Sequence, residues 1–155
     1  MKPLKASDER FTLQRTVRLL QEFAGVERFD LDVAASPLSC WGVKGFTVAD
    51  NAFAQQWFGH VFMNPPFSQI GPWIDRMFDQ LPNCRSVTAL LPADRTEQRW
   101  FQQLWLHLVE RKATDRVCWL TPREKFGTPE DPSGRRRKNH PPFACFAVHL
   151  PGGSK

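Results

Sequence analysis

The sequence predicts an α/β domain whose sheet is mainly parallel, with an antiparallel pair of strands at one edge. Short apolar runs with the length of buried strands alternate with stretches whose apolar residues recur at helical spacing. This alternation is typical of parallel sheets, because each parallel strand needs a crossover, usually a helix, before the next one. The last two apolar runs have no helical stretch between them, which favours an antiparallel pair. With 155 residues, the chain has the size of one domain spanning 1–155.

Each element follows from a local pattern. The first helix is predicted within 12–23, where apolar residues recur on one face. The second begins at Gly71-Pro72, because proline is favoured in the first turn of a helix. The third follows Asp94 and Glu97, which have the spacing of a capping box. Its expected buried residues are Trp100, Phe101, Leu104, Trp105 and Leu108. Strands are predicted at 29–34, 60–64, 86–92, 116–121 and 143–150, with at most one short strand at 44–48.

The composition is that of a globular protein, with 41% hydrophobic and 24% charged residues. No stretch approaches the roughly 18 consecutive apolar residues that a membrane span needs. The first residues also lack the apolar core of a secretory signal. We therefore expect a cytoplasmic protein without membrane contact. The four cysteines are widely spaced and form no CxxC pair, which fits reduced thiols better than disulfides, and no metal site is predicted.

The net charge of +5 is concentrated in one part of the chain. Residues 111–138 contain nine Lys or Arg and four Asp or Glu, so this segment accounts for the whole net charge. Its densest part lies in a basic loop at about 123–141 that is also rich in proline and glycine. One interpretation is a solvated loop, and the other is a contact with nucleic-acid phosphates. The residues in question are Arg135, Arg136, Arg137 and Lys138.

The predicted strand at 60–64 ends in the sequence Asn64-Pro65-Pro66-Phe67. Because proline has no backbone N–H, strand pairing has to stop at this turn. The side-chain carbonyl of Asn64 and the main-chain carbonyl of Pro65 are two acceptors that could bind both hydrogens of one amino group. The ring of Phe67 offers a flat face for a planar ring. The pattern therefore predicts a pocket for an aromatic amine such as adenine, although such a sequence can also be only a turn.

An aromatic amine held in this way is prepared for methylation. Its nitrogen is a poor nucleophile because the lone pair is delocalised into the ring. Hydrogen bonds from both N–H groups to fixed acceptors favour a tetrahedral nitrogen, which makes the lone pair available. Such a site works by positioning and electrostatics, and it needs no strong general base.

Six stretches of the chain together resemble the phage and prophage Dam-type DNA N6-adenine methyltransferases, which use S-adenosylmethionine (AdoMet). They are FDLDVAAS (29–36), DNAFAQQW (50–57), VFMNPPFSQIGPWI (61–74), ALLPADRTEQRWF (89–101), REKFG (123–127) and PPFACFAV (141–148). The resemblance covers nearly the whole chain and implies a compact, Rossmann-like AdoMet methyltransferase sheet. It also implies AdoMet as cofactor, DNA as partner, either duplex or single-stranded, and a phage or prophage protein acting in the bacterial cytoplasm.

The resemblance also implies roles for individual residues. Asn64 and Pro65 would bind the target amino group, Pro66 would hold the turn and Phe67 would stack on the base. Because Arg95 belongs to a family-like segment, it could contact DNA phosphate, and its alternative is a surface ion pair.

For the cofactor, the resemblance implies that Asp32 binds the amino group of the methionine part, directly or through water. Ala34, Ala35 and Ser36 would line the approach of the backbone to AdoMet. Asp50 would accept a hydrogen bond from the cofactor's adenine or sugar. Both carboxylates have a simpler alternative, since each could cap the turn that follows it.

The chain departs from the family pattern in three places. The family often has Thr-Pro in an N-terminal segment that closes over the cofactor, and this chain has Phe11-Thr12-Leu13, so Thr12 is its candidate there. Ala34-Ala35-Ser36 replaces the usual glycine-rich loop, and alanine cannot supply the positive φ angles of glycine. Residues 37–60 are too few for the two strands and the helix of a full methyltransferase sheet.

These departures predict a truncated sheet with an unusually open cofactor pocket, or a pocket completed by a second protomer in a homodimer. Weak AdoMet affinity would follow. Because no separate target-recognition domain is evident, we expect low sequence specificity or a preference for single strands. Two alternatives remain open: a methyltransferase for another amine (cytosine N4, an RNA adenine or a protein glutamine), or a catalytically inactive nucleic-acid-binding accessory protein with the same fold.

Overall fold

The computed structural model describes residues 10–113, 116–136 and 140–154. Within these residues the fold is α/β, with three α-helices and eight strands. The strands are β1 (Phe11–Thr12), β2 (Phe29–Asp32), β3 (Gly42–Gly45), β4 (Gly59–Met63), β5 (Cys84–Pro92), β6 (Val117–Trp119), β7 (Phe126–Gly127) and β8 (Cys145–Pro151). The helices are α1 (Gln14–Ala24), α2 (Ile70–Gln80) and α3 (Arg99–Glu110), and a short 3₁₀ turn (Leu81–Asn83) joins α2 to β5.

Six strands form one mixed sheet with the order β3-β2-β4-β5-β8-β6. The pairs β3–β2, β2–β4 and β4–β5 are parallel, whereas β5–β8 and β8–β6 are antiparallel. The antiparallel edge expected from the last two apolar runs is therefore confirmed. The central strand β5 is buried along almost its whole length, and the core spreads from it onto the helices.

The strand order reverses between β2 and β4. After β2 the chain adds β3 on one side of it, and β4 then pairs with the other side of β2 and continues to β5. In open α/β sheets, ligands bind beyond the carboxyl ends of the strands at such a reversal. Asp32 ends β2 and Asn64 follows β4, so the topology brings these two candidates to neighbouring strand ends.

A second, two-stranded sheet lies outside the main one. The antiparallel strands β1 and β7 pair Phe11 with Gly127 and Thr12 with Phe126. Neither strand is predicted from the sequence, because two residues are too few to show a periodicity. This small sheet joins the start of the described chain to the basic loop.

Two predictions about the third helix are wrong. The helix begins at Arg99, and its N-cap, Gln98, makes no capping hydrogen bond through its side chain, so Asp94 and Glu97 form no capping box. Asp94 instead lies 3.5 Å from the Arg95 guanidinium. Trp105 is 38% exposed, because it lies at the flank of the helix surface that packs on the sheet. The other four expected core residues of this helix are buried.

Gly59 allows the chain to enter β4. Its φ of 67° lies in the left-handed region, and a Cβ there would lie 2.4 Å from the Asp30 carboxylate. The same carboxylate accepts a hydrogen bond from the backbone N–H of His60 at 2.7 Å. A side chain at position 59 would therefore strain the backbone and displace the group that fixes the start of the strand.

We expect Gly59→Ala to lower the free energy of unfolding by about 1–3 kcal/mol, the usual cost of a left-handed conformation for a residue with a Cβ. Gly71→Ala is the matched control. Gly71 lies in α2 with nothing within 4 Å of the added Cβ, so the change should be neutral or stabilise by about 0.5–1 kcal/mol. Urea unfolding measures both. Equal stability of the two variants would contradict the role of Gly59.

Candidate active site

The Asn-Pro-Pro-Phe turn leaves the main sheet at the end of β4. Asn64 is partly buried and Pro65 is buried, so both stand at the edge of the core. The Pro66 carbonyl accepts a hydrogen bond from the N–H of Gln69 at 3.0 Å, which closes the turn just before α2. Among the described residues, no hydrogen bond ends on the Pro65 carbonyl. This carbonyl is therefore an acceptor without a hydrogen-bond partner within the described part of the chain.

The small sheet supports both ends of this turn. The Thr12 hydroxyl accepts a hydrogen bond from Nδ2 of Asn64 at 2.9 Å. Phe126, the strand partner of Thr12, meets the Phe67 ring edge-on, with 6.0 Å between centroids and 89° between planes. One pair of residues across the β1–β7 ladder thus contacts the first and the last residue of the turn.

Asp32 is a buried carboxylate at the neighbouring strand end, with 3% of its surface exposed. It accepts hydrogen bonds from the N–H groups of Ala34 at 3.2 Å and Trp41 at 3.0 Å. Burial raises the pKa of Asp32 to about 6, although both hydrogen bonds act in the opposite direction. Around neutral pH the side chain is therefore a buried anion, and no cation of the described residues lies within ion-pair distance of it.

Trp41 connects the two strand ends. Its backbone N–H donates to Asp32, and its indole Nε1 donates to the main-chain carbonyl of Thr12 at 3.0 Å. Because Thr12 in turn contacts Asn64, a continuous series of hydrogen bonds runs from the amide of Asn64 to the carboxylate of Asp32. Trp41 was not predicted as a site residue, because a single tryptophan beside a glycine carries no motif.

The loop after β2 is tightly folded. The N–H of Ala35 donates to the Phe46 carbonyl at 3.0 Å, and Ser36 exchanges main-chain hydrogen bonds with Ser39. Since Ala34 already donates to Asp32, the N–H groups of Ala34, Ala35 and Ser36 all bind within the chain. These three residues therefore form a compact turn beside Asp32, and each of their N–H groups already donates to an acceptor within the chain.

Asp50 lies beyond the carboxyl end of β3 and is exposed. Its carboxylate accepts hydrogen bonds from the N–H of Thr47 at 2.8 Å and from the Thr47 hydroxyl at 2.9 Å. These two bonds lower the pKa of Asp50. The contacts are those of a turn cap, and no hydrogen bond connects Asp50 with Asp32.

Phe67 is almost fully covered, with 7% of its surface exposed. Besides Phe126 it contacts Phe143, with ring centroids 5.7 Å apart. The guanidinium groups of Arg10 and Arg95 lie over the Phe143 ring at 5.9 and 5.7 Å. Arg95 also donates to the Phe67 carbonyl at 2.9 Å, so it binds the turn as well as its covering ring.

Asp131 organises the described part of the basic loop. It is buried, and its carboxylate accepts hydrogen bonds from the N–H groups of Arg135 at 3.2 Å and Arg136 at 2.7 Å. Main-chain bonds between Thr128 and Asp131 close the preceding turn. Both arginines are exposed.

The loop is attached close to the Asn-Pro-Pro-Phe turn. Phe126, at its start, packs on Phe67, and the Thr16 hydroxyl of α1 donates to the Glu124 carboxylate. The start of the basic loop is therefore fixed beside the turn and on α1. Arg137 and Lys138, the other two predicted contacts, lie outside the described residues.

The fold and the site together define an α/β protein with a polar site at the carboxyl ends of two adjacent parallel strands, one ending in a buried carboxylate and the other in an Asn-Pro-Pro-Phe turn. The family model described as DNA N-6-adenine-methyltransferase (Dam) matches residues 11–146, and the chain belongs to this family. The matched segment includes both small strands and both strand ends of the site.

A DNA N-6-adenine-methyltransferase of Escherichia phage T1 is 30% identical over 96 residues, which cover 60% of this chain. The chain spans 37% of the length of that relative. No solved structure matches the chain. Among the described residues, none of the helices has the length and apolar character needed to cross a membrane.

We expect Asp131→Asn to loosen the basic loop, because an amide has one oxygen acceptor in place of two and loses the charge that strengthens both bonds. Amide hydrogen exchange at Arg135 and Arg136 should become roughly tenfold faster. The matched control is Glu130→Gln, which removes the same charge from an exposed neighbour. If both variants exchange like the parent protein, Asp131 does not organise the loop.

Proposed function

We propose that the chain transfers a methyl group from AdoMet to the exocyclic N6 amino group of adenine in DNA. The proposal rests on two groups that lie at neighbouring strand ends where the strand order reverses. A buried carboxylate suited to an ammonium ligand ends β2, and a rigid turn with two carbonyl acceptors follows β4 beside it. Membership of the DNA N-6-adenine-methyltransferase family supports the same reaction.

The residues at the end of β2 fit AdoMet because Asp32 is a buried anion with no cationic partner in the described part of the chain. Each carboxylate oxygen has a second lone pair beyond the hydrogen bond it already accepts. The ammonium group of the cofactor's methionine part would use these lone pairs, directly or through water, and would reduce the cost of the buried charge. When bound, AdoMet supplies an electrophilic methyl group.

At the end of β4, the carbonyl oxygens of Asn64 and Pro65 accept the two hydrogens of the adenine amino group. This arrangement would release the nitrogen lone pair from the ring system, so that the N–C bond would form in line as the C–S bond of AdoMet breaks. S-adenosylhomocysteine would leave, and the methylated amine would give one N–H proton to solvent. The turn is rigid, because two prolines fix its backbone and the small sheet supports both its ends. The protein thus contributes geometry and electrostatics, and no general base is required.

Base stacking on Phe67 requires part of its present covering to move. Phe126 is fully buried, whereas Phe143 is partly exposed and has two arginines over its ring. We therefore propose that the flipped adenine displaces Phe143 and not Phe126. Flipping costs roughly a few kcal/mol in a duplex and less in a single strand.

For DNA, the proposed contacts are Arg95 beside the turn and Arg135 and Arg136 on the basic loop. This proposal is supported by the attachment of the loop, which starts at the residue that packs on Phe67 and whose Arg135 and Arg136 are exposed. Clustered cations bind DNA with little regard to sequence, which supports low specificity.

We also propose that the chain forms one domain with a truncated Rossmann-like methyltransferase sheet. It is supported by the single short strand, β3, between the two halves of the site. With β3 at the sheet edge, the cofactor pocket stays open or is completed by a second protomer. We propose a phage or prophage protein that acts in the bacterial cytoplasm, since the relative belongs to a phage.

Two alternatives use the same site. Another amine, from cytosine N4, an RNA adenine or a protein glutamine, could occupy the turn. An inactive accessory protein is favoured by the loop after β2, whose N–H groups already bind within the chain. Mass spectrometry of each candidate substrate after incubation with AdoMet separates these alternatives. N6-methyladenine in DNA supports the proposal, and no product on any substrate favours the accessory protein.

We expect Asn64→Ala to lower methyl transfer to adenine roughly a hundredfold or more, because one of the two amine acceptors is lost. AdoMet binding and the thermal unfolding temperature should stay near those of the parent protein. Asn83→Ala is the matched control, since Asn83 is exposed at the amino end of β5, on the opposite edge of the sheet. Full activity of Asn64→Ala would refute the amine-binding role.

AdoMet affinity should depend on pH through Asp32. The carboxylate binds an ammonium group only when ionised, and its pKa is raised to about 6. As the pH falls through this value, affinity should therefore decrease, approaching about tenfold per pH unit. Calorimetric titration between pH 5 and 8 measures this. Asp32→Asn should bind weakly with a flat profile, and Asp75→Asn, at an exposed position of α2, should behave like the parent. An unchanged profile in Asp32→Asn would assign the titration to another group.

A further inference from the structure

We infer that Thr12 is a positioning residue that sets the orientation of the Asn64 side-chain amide. This inference rests on the proposed function, in which Asn64 accepts a hydrogen bond from the target amino group. It differs from the role that the sequence implied for Thr12, which was contact with the cofactor.

An asparagine at this position has an orientation problem that an aspartate does not have. One end of its amide is an acceptor and the other end is a donor of two hydrogens. If the amide rotates by a half-turn about its last bond, its NH2 group faces the amino group of the substrate, and two donors oppose each other. The site therefore needs a partner that holds the NH2 end away from the substrate.

Thr12 supplies this partner. Its hydroxyl oxygen accepts the hydrogen bond from Nδ2 of Asn64 at 2.9 Å, which binds the donor end of the amide to the protein. The carbonyl oxygen Oδ1 is then the end that remains for a ligand. Thr12 is only 4% exposed, so its hydroxyl is directed into the protein against Asn64.

The backbone of Thr12 is fixed on two sides, so its hydroxyl has little freedom to move. It pairs with Phe126 in the β1–β7 ladder, and its carbonyl accepts the indole N–H of Trp41. Neither of these contacts uses the side chain. A substitution that removes only the hydroxyl should therefore leave the small sheet and the Trp41 contact in place.

The test compares Thr12→Val, which removes the hydroxyl with little change of shape, with Thr12→Ser, which keeps it. For methylation of a single-stranded adenine substrate, we expect Thr12→Val to lower kcat roughly tenfold to a hundredfold. Its dissociation constant for AdoMet should stay within about twofold of the parent value, and Thr12→Ser should restore most of kcat. If Thr12→Val weakens AdoMet binding and leaves kcat unchanged, Thr12 is a cofactor-binding residue and the inference is wrong.

A double-mutant cycle separates positioning from general damage. In Asn64→Asp both side-chain oxygens are acceptors, so the orientation no longer matters. Thr12→Val should then cost less than about threefold in kcat in the Asn64→Asp background. An equal cost in both backgrounds would mean that the hydroxyl acts on the structure and not on the amide.

Nitrogen-15 NMR gives a readout that does not depend on activity. In the parent and in Thr12→Ser, one Nδ2 proton of Asn64 should exchange slowly with solvent, and in Thr12→Val both should exchange quickly. Equal exchange in all three overturns the inference, whatever the activity of Asn64→Asp. Asn64→Ala distinguishes failure of the proposed function from failure of this inference. Full activity of Asn64→Ala would refute the amine-binding role of Asn64. If Asn64→Ala is inactive but Thr12→Val has a normal kcat, only the role of Thr12 is refuted.

Discussion

The candidate site depends on the pairing of Thr12 with Phe126 in the two-stranded sheet. These residues come from segments far apart in the chain, and they hold the first and last residues of the Asn-Pro-Pro-Phe turn by a hydrogen bond and a ring contact. The main sheet places the turn at its edge, but its strand pairing does not fix the orientation of the Asn64 amide or of the Phe67 ring. The two-residue ladder contacts both side chains, and it is itself held by the Trp41 bond to Thr12 and by the burial of Phe126 in the core.

The second constraint is electrostatic. Asp32 is buried where the strand order reverses, and its hydrogen bonds to Ala34 and Trp41 do not fully compensate for the loss of water, since its pKa remains raised. Such a carboxylate holds the loop after β2 in place, and it is also a position where a cationic ligand gains more than at the surface. The turn-capping and ligand-binding interpretations of Asp32 are therefore compatible.

Most of the main sheet could be predicted from the sequence, because apolar runs and helical spacing are local signals. Asn64 could be singled out for the same reason, since its turn is a contiguous motif. The contacts of Thr12, Trp41 and Phe126 join distant segments, so no local pattern could predict them; the resemblance singled out Thr12, but for the cofactor. The start of α3 was mispredicted because the acidic residue with capping spacing binds Arg95 instead. Trp105 was wrongly expected in the core, because one position along the helix separates Leu104, which faces the sheet, from Trp105 at the flank of that face.

The two contacts of Trp41 differ in what they require of the residue at this position. One residue donates its backbone N–H to the carboxylate on one strand end and its indole N–H to the segment that supports the other. Any residue except proline would keep the backbone N–H that binds Asp32, so a replacement of Trp41 removes only the indole bond to the Thr12 carbonyl. The loop after β2 therefore supports the Asn-Pro-Pro-Phe turn through a single side chain, while its hold on the carboxylate depends on the backbone alone.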